Sequence, residues 1–243
     1  VKAKPHPPAV VRLNAVGSLT GVLSLMDRPP LEVMSKAGRP VDLADGRAQV
    51  AGTISFPMKK NNPIEVVNFD VSGELTNVSS EQLVAGRTVS SDRMSLIASD
   101  TGIDLKGPAA LDGVPMEMRW LKALGPDAPK GSSQITGDIE FSPDSMTTLN
   151  ITLPPDLLSG AGWANFVVDL EKDVPPVLQL VSDLQGLVLS IPQLSWRKSA
   201  SAEAELEVFA RLEEIPKVER ISLRAPGLAA TGSLTMNAEQ QME

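Results

Sequence analysis

Glu65-Val66-Val67-Asn68-Phe69-Asp70-Val71-Ser72-Gly73-Glu74-Leu75 decides the fold class of this chain. Val67, Phe69, Val71 and Leu75 fall on one side of an extended backbone, and Asn68, Asp70, Ser72 and Glu74 fall on the other. Successive side chains of a strand point to opposite faces, so the segment reads as a ribbon with one oily and one wet side. The pattern recurs. Val114, Met116, Met118 and Trp120 alternate with Pro115, Glu117 and Arg119. Ala164, Phe166, Val168 and Leu170 alternate with Asn165, Val167 and Asp169, and Ala204, Leu206, Val208 and Ala210 with Glu203, Glu205, Glu207 and Phe209. One-sided strands of this kind belong to antiparallel sheet, because strands of a parallel sheet are apolar on both faces.

Turn chemistry separates the runs: Asp27-Arg28-Pro29-Pro30, Asp45-Gly46, Lys60-Asn61-Asn62-Pro63, Asp112-Gly113, Gly125-Pro126, Pro154-Pro155 and Ala225-Pro226-Gly227. This spacing predicts about fourteen to sixteen strands. Helix is expected in one or two short pieces. Ser79 to Leu83 has the composition for a single turn, and Ser142-Pro143-Asp144-Ser145-Met146 pairs a capping serine with a proline suited to the first helical position. Lys122 to Ser133 has linker-like composition and marks a possible subdivision near 122–133. A long hairpin loop is the favoured reading of it, so residues 1–243 are expected to form a single section.

Val50-Ala51-Gly52-Thr53-Ile54-Ser55-Phe56 is echoed by Ile135-Thr136-Gly137-Asp138-Ile139-Glu140-Phe141 and by Ala230-Thr231-Gly232-Ser233-Leu234-Thr235-Met236. Val71-Ser72-Gly73-Glu74-Leu75 is a shorter copy. Val174-Pro175-Pro176-Val177 and Ile215-Pro216-Lys217-Val218 form a second echo, each followed nine residues later by Gly-Leu. Such repeats suggest β units laid side by side.

Composition removes several function classes. The net charge is -8, so there is no basic surplus to neutralise phosphates, and aromatics are 3%, too few for base stacking; nucleic acid is set aside. Cys is absent, which excludes disulfides and thiolate metal sites. The first residue is Val, and the opening Val1-Lys2-Ala3-Lys4-Pro5 reads as a cut from a longer chain, with any membrane anchor outside these residues. The sole histidine, His6, sits in Pro5-His6-Pro7-Pro8, a poor setting for a preorganised base. Gly17-Ser18-Leu19-Thr20-Gly21 lacks the nucleophile-elbow spacing, and Ser199 beside Lys198 faces the other way along a strand. Asp70 with Glu74, Asp138 with Glu140, and Glu203, Glu205 and Glu207 share wet faces with Ser, Thr and Asn, which a solvated sheet face explains. Asp42, Asp45 and Gly46 lack the ligand spacing of a calcium loop. No catalytic residue, metal site or cofactor is expected.

What requires an account is the oily face. An open sheet of more than about ten strands curls or splits into two layers. Split, its apolar faces cover each other; curled, they line a groove. Phe69-Asp70-Val71-Ser72-Gly73-Glu74-Leu75-Thr76-Asn77-Val78 leads through Leu83-Val84-Ala85-Gly86-Arg87 and Asp92-Arg93-Met94-Ser95-Leu96 to Leu111-Asp112-Gly113-Val114-Pro115 and Trp120. With Gly137 to Pro143, Leu153-Pro154-Pro155 and Leu184-Gln185-Gly186-Leu187, this order resembles the AsmA-like superfamily of envelope proteins, the TamB and YhdP type, over most of residues 45 to 236. The resemblance implies an all-β fold: a long, strongly curved, open antiparallel sheet forming a repeating β-groove, or taco, used for bridge-like lipid transfer. It implies a periplasmic location in a Gram-negative bacterium, a tether to the inner membrane outside this segment, possible envelope protein partners, and phospholipid acyl chains as cargo moving between inner and outer membranes. The expected lining residues are Ile54, Phe56, Val67, Phe69, Val71, Met116, Met118, Trp120, Ile139, Phe141, Phe166, Val168, Leu206 and Val208. The alternative is a structural or interaction β-sandwich module without lipid conduction.

Overall fold

A computed structural model describes residues 8–28, 32–36, 38–57, 67–125, 127–129, 131–213 and 215–235. His6, the Lys60–Pro63 turn and Met236 lie outside these residues. The described chain is all-β, dominated by an open antiparallel sheet, with two helices and two isolated helical turns, Val33–Lys36 and Pro192–Leu194. It divides into two compact units, residues 1–109 with 119–130, and residues 110–118 with 131–243.

The first unit opens with strand β1 (Pro8–Ser18), helix α1 (Leu19–Met26) and the turn α2 (Val33–Lys36). Strands β2 (Asp45–Pro57), β3 (Asn68–Val84), β4 (Arg87–Ser99) and β5 (Gly102–Leu111) follow. Each strand pairs antiparallel with the next from β1 to β4. The register lines up the alternation read from the sequence: Val11 opposes Ile54, Ile54 opposes Phe69, Gly52 opposes Val71, Val71 opposes Ala98 and Leu75 opposes Met94. Residues directly opposed share a face, so these apolar positions form one surface. Two short polar devices place its cover. Ser18 accepts a hydrogen bond from the Gly21 backbone N–H and starts α1, which buries Leu19 and Val22. Asp27 accepts bonds from both the backbone and hydroxyl of Ser35, joining α1 to α2, where Met34 is buried. These bonds also hold the Asp27 carboxyl below its usual pKa.

Two expectations are corrected here. Ser79 to Leu83 is not a helical turn; it continues β3. Val78 and Ser80 are buried there, in the opposite phase to Val71 and Leu75, and Asn77 between them has φ 50. A left-handed residue re-aims the strand, and asparagine tolerates that conformation. Asp45-Gly46 is not a turn between elements either. It opens β2 at a register shift, with Gly46 at φ 137, in the manner of a β-bulge.

Asp112 and Gly113, at φ 51 and 90, turn β5 into β6 (Val114–Ala123), the left-handed pair that a two-residue hairpin needs. Strand β7 (Ser133–Phe141) follows β6 both along the chain and in the sheet order. Helix α3 (Pro143–Thr148) starts as expected: Ser142 accepts from Ser145 N–H, Ser145 Oγ accepts from Ser142 N–H, and Pro143 occupies the first turn.

The rest of the second unit holds β8 (Leu158–Gly160), β9 (Gly162–Glu171), β10 (Val174–Ser182), β11 (Leu187–Ile191), β12 (Trp196–Lys198), β13 (Glu205–Arg211), β14 (Lys217–Ala225) and β15 (Leu228–Thr235). In the twelve-stranded main sheet β7-β9-β10-β13-β14-β15 are successive neighbours. The remaining three form a small sheet in the order β12-β11-β8. That order repeats the main-sheet order of the strands they adjoin in the chain. β8 runs into β9 through Ala161, β10 into β11 through 183–186, and β12 into β13 through 199–204. The small sheet is therefore a flap made by three main-sheet strands bending over, the corner construction known from orthogonal packings. Glycines make the corner close: a Cβ on Gly160 would collide with the Gly186 carbonyl, one on Gly186 with the Ala161 carbonyl, and one on Gly162 with the Gln185 carbonyl.

Candidate functional site

In the second unit the register assembles one apolar surface. A first row runs Ile135, Val168, Leu178, Ala210, Val218 across β7, β9, β10, β13 and β14. A second runs Gly137, Phe166, Leu180, Val208, Ile221, Gly232 and reaches β15. Beyond it lie Ile139 with Ala164, and Ser182, Leu206, Leu223 and Ala230. With strands about 4.8 Å apart, the four intervals of the first row span roughly 19 Å.

The flap covers one end of this surface. Leu158, Leu184, Leu187, Leu189, Met146 and Leu206 form a buried cluster, with Phe141, Leu180, Val208, Ile221, Leu223 and Trp196 packed against it. Leu187 is 0% and Leu184 1% exposed. Each buried leucine contributes roughly 1.5–3 kcal/mol. Trp196 Nε1 donates to the Pro226 carbonyl, tying β12 to the turn between β14 and β15. The flap's own polar core is Lys198, 2% exposed, whose ammonium donates to the carbonyls of Leu184, Leu187 and Ser199 at 2.7, 3.0 and 3.0 Å. Burial lowers its pKa from the ordinary lysine value, against a smaller opposing pull from Asp183. The ammonium holds three backbone oxygens, the task of a structural clasp.

The expected lining residues are thus distributed as follows. Ile54, Phe56, Phe69 and Val71 share the first unit's apolar face, with Val67 buried just before β3. Trp120 belongs to the same unit and is half-buried. Met116 is buried and Met118 half-buried on β6. Ile139, Phe141, Phe166, Val168, Leu206 and Val208 share the second unit's face. Phe141, Leu206 and Val208, however, pack against the flap. For these three the cover comes from the chain itself, where β9, β10 and β13 bend over into the flap. The first row stands outside the flap cluster, and its Ile135, Val168, Leu178 and Val218 are half-buried. Ile135, Leu178 and Val218 were absent from the sequence-derived set, although Leu178-Gln179-Leu180 carries the same alternation.

The wet face is a set of paired charges. Arg93 meets Glu74 at 3.0 Å, Arg119 meets Asp104 at 2.7 Å, Arg211 meets Glu219 at 2.7 Å and Arg224 meets Glu205 at 2.9 Å. The Arg119 hydrogen bond holds Asp104 below the usual carboxylate pKa, and Glu205 raises that of Arg224. Asp138 accepts from Asn165, and Glu140 accepts from Ser142 Oγ at 2.9 Å. Of the carboxylates singled out in the sequence, Glu74, Asp138, Glu140 and Glu205 are thereby tied into strand pairing and capping. Among the described residues no group of three or more His, Asp and Glu side chains is placed to hold a metal ion, and no helix is long and apolar enough to cross a membrane. A cleft of about 610 Å³ beside α3 is lined by Pro143, Met146, Asn150, Ile151, Leu153 and Leu158, among others. Comparison with family models, with curated proteins and with solved structures finds no match for the chain.

Proposed function

We propose that this chain is a section of a hydrophobic conduit that carries phospholipid acyl chains, acting by binding rather than by catalysis. The observation that carries the reading is the first row of the second unit, Ile135-Val168-Leu178-Ala210-Val218, an apolar line across five strands that lies outside the flap cluster. Four of its five side chains are half-buried and Ala210 is buried, and an apolar strip left partly open on a sheet suits a binding surface. Aliphatic side chains without donors or acceptors suit a hydrocarbon guest, which asks for area and not for directed bonds. The AsmA-like pattern of residues 45 to 236 supports the same reading, in which the chain works in the periplasm of a Gram-negative bacterium, tethered to the inner membrane and passing lipid towards the outer one.

A photo-reactive residue at position 178, on the row, is expected to capture phospholipid in the envelope, and one at 179, on the opposite face, is not. Equal capture at both positions, or none at 178, removes the reading. The second reading is a structural or interaction β module. The flap favours it, since Leu184 and Leu187 form a two-layer core with no space for a guest. Capture of protein alone at 178 selects that reading.

A further inference from the structure

The second unit's sheet is not oily on one side and wet on the other. Val167 on β9 and Phe209 on β13 both oppose Gln179 of β10, on the face away from Leu178 and Leu180. Val181 lies two residues along from Gln179 on that face and opposes Asn165, and Trp163 lies two residues before Asn165. Val181 is thus the diagonal neighbour of Trp163, Val167 and Phe209, and the four form one apolar band. In the first unit the face opposite the apolar one carries Thr53 and Ser55 on β2, and Asn68, Asp70, Ser72 and Glu74 on β3. Strands that are apolar on both sides belong to sheets covered on both sides.

The band is open at one end. Trp163 is 51% and Val181 45% exposed. The indole N–H of Trp196 donates to Pro226, whereas that of Trp163 has no acceptor among the described residues. Carboxylates edge the band: Glu140 opposes Trp163, Asp138 opposes Asn165 and Glu207 opposes Val181. Arg211 and Arg224 are taken by Glu219 and Glu205. Among the described residues no lysine or arginine meets Asp138 or Glu140, whose partners are Asn165 and Ser142. Arg220 opposes Phe209, on the side away from β7. Across β9, β10 and β13 the band is about 10 Å wide, and from Trp163 to Val167 it runs about 13 Å, the footprint of two to three turns of helix.

We propose that this band docks a basic amphipathic helix of a partner protein, with the helix's apolar side over Trp163 and Val181 and its lysines or arginines against Asp138 and Glu140. Tryptophan is enriched among the residues that dominate binding energy, and charges at the rim select the partner and fix its register. The net charge of -8 favours encounter with a basic partner over an acidic one. The band lies on the face opposite the proposed lipid row, so its test is separate from that of the lipid reading.

Two amphipathic helical peptides of about 14 residues, one of leucine and lysine and one of leucine and glutamate, test this on the whole chain. By fluorescence anisotropy the lysine peptide is expected to bind with a Kd of about 10–100 µM, as suits a small footprint, and the glutamate peptide about tenfold more weakly or less. Trp163→Ala is expected to weaken the lysine peptide about tenfold. The pair Asp138→Asn with Glu140→Gln removes the charge and keeps the hydrogen-bond acceptors, and is expected to have an effect of about the same size. In the wild type the lysine peptide is expected to shift the NMR signal of the Trp163 indole N–H, assigned by its loss in Trp163→Phe, and to leave that of Trp196 in place. Absence of binding, equal binding of the two peptides, or binding that Trp163→Ala and the neutralised pair leave unchanged overturns the proposal. So does a Trp163 signal that the lysine peptide does not move, and one that moves only with a chito-oligosaccharide makes the band a sugar platform instead.

Discussion

Strands β10 and β14 begin alike and end differently. Each starts near a Pro-containing echo, Val174-Pro175-Pro176-Val177 and Ile215-Pro216-Lys217-Val218, and each is followed by Gly-Leu. Yet β14 turns at Pro226-Gly227 into a flat hairpin with β15, whereas β10 passes through 183–186 and rises into the flap. Both glycines are left-handed, Gly227 at φ 78 and Gly186 at φ 79, so the local conformation does not separate them. Their surroundings do. Gly186 is pressed against the Ala161 backbone, beside a buried Leu184 at φ 55 and the Lys198 clasp. Gly227 has the Trp196 ring at ordinary contact distance and little else. The same short signal bends the sheet where a packed cluster waits, and closes a hairpin where none does.

The strongest way to break this contrast is to remove the cluster. Leu187→Asp buries a carboxylate with no partner at a site that is 0% exposed, and the cost is expected to exceed about 4 kcal/mol. Urea unfolding read by tryptophan fluorescence checks it, with Leu228→Asp after Gly227 as the far milder counterpart. A smaller effect is expected from Gly186→Ala, which meets the Ala161 carbonyl at a left-handed backbone position; about 2–3 kcal/mol is expected. Gly227→Ala carries the left-handed strain without the collision, and is expected to cost less in the same titration. Equal costs would show that the turn, and not its surroundings, separates the two strands.

The finest test concerns Lys198. Lys198→Met removes three hydrogen bonds, although the Leu184 and Ser199 carbonyls keep the backbone N–H groups of Leu187 and Ala202 as donors; a loss of roughly 1–3 kcal/mol is expected. The pH dependence sharpens it. Burial places the folded pKa below the unfolded value of 10.5, so between the two the unfolded chain binds the proton more readily. Stability therefore rises with pH through that window and falls as pH drops through it. Unfolding midpoints of the wild type are expected to climb on approach to 10.5, and those of Lys198→Met to lose that climb.

The alternation of Val67 to Leu75, Val114 to Trp120 and Ala164 to Leu170 was legible because period two follows from strand geometry alone. So were the Asp112-Gly113 turn and the Ser142-Pro143 start of α3, whose chemistry is complete within four residues. Helix α1 was missed although Ser18 precedes Leu19 and Val22 at helical spacing, because eight residues barely exceed two turns. The flap was not legible. It depends on Leu184 adopting φ 55 and on Gly160 meeting Gly186 across 26 positions of sequence, and neither is encoded in any local window. The candidate face followed the strands; which part of it lies under the flap followed the bends, and so escaped.

The main sheet takes its strands almost in the order in which the chain supplies them. Each rung needs the rung before it and little that comes later, so assembly can track synthesis or export from one end. The flap is the exception. Its middle strand, β11, pairs with the later β12 as well as the earlier β8, and the Lys198 clasp closes only once Leu184, Leu187 and Ser199 are all in place.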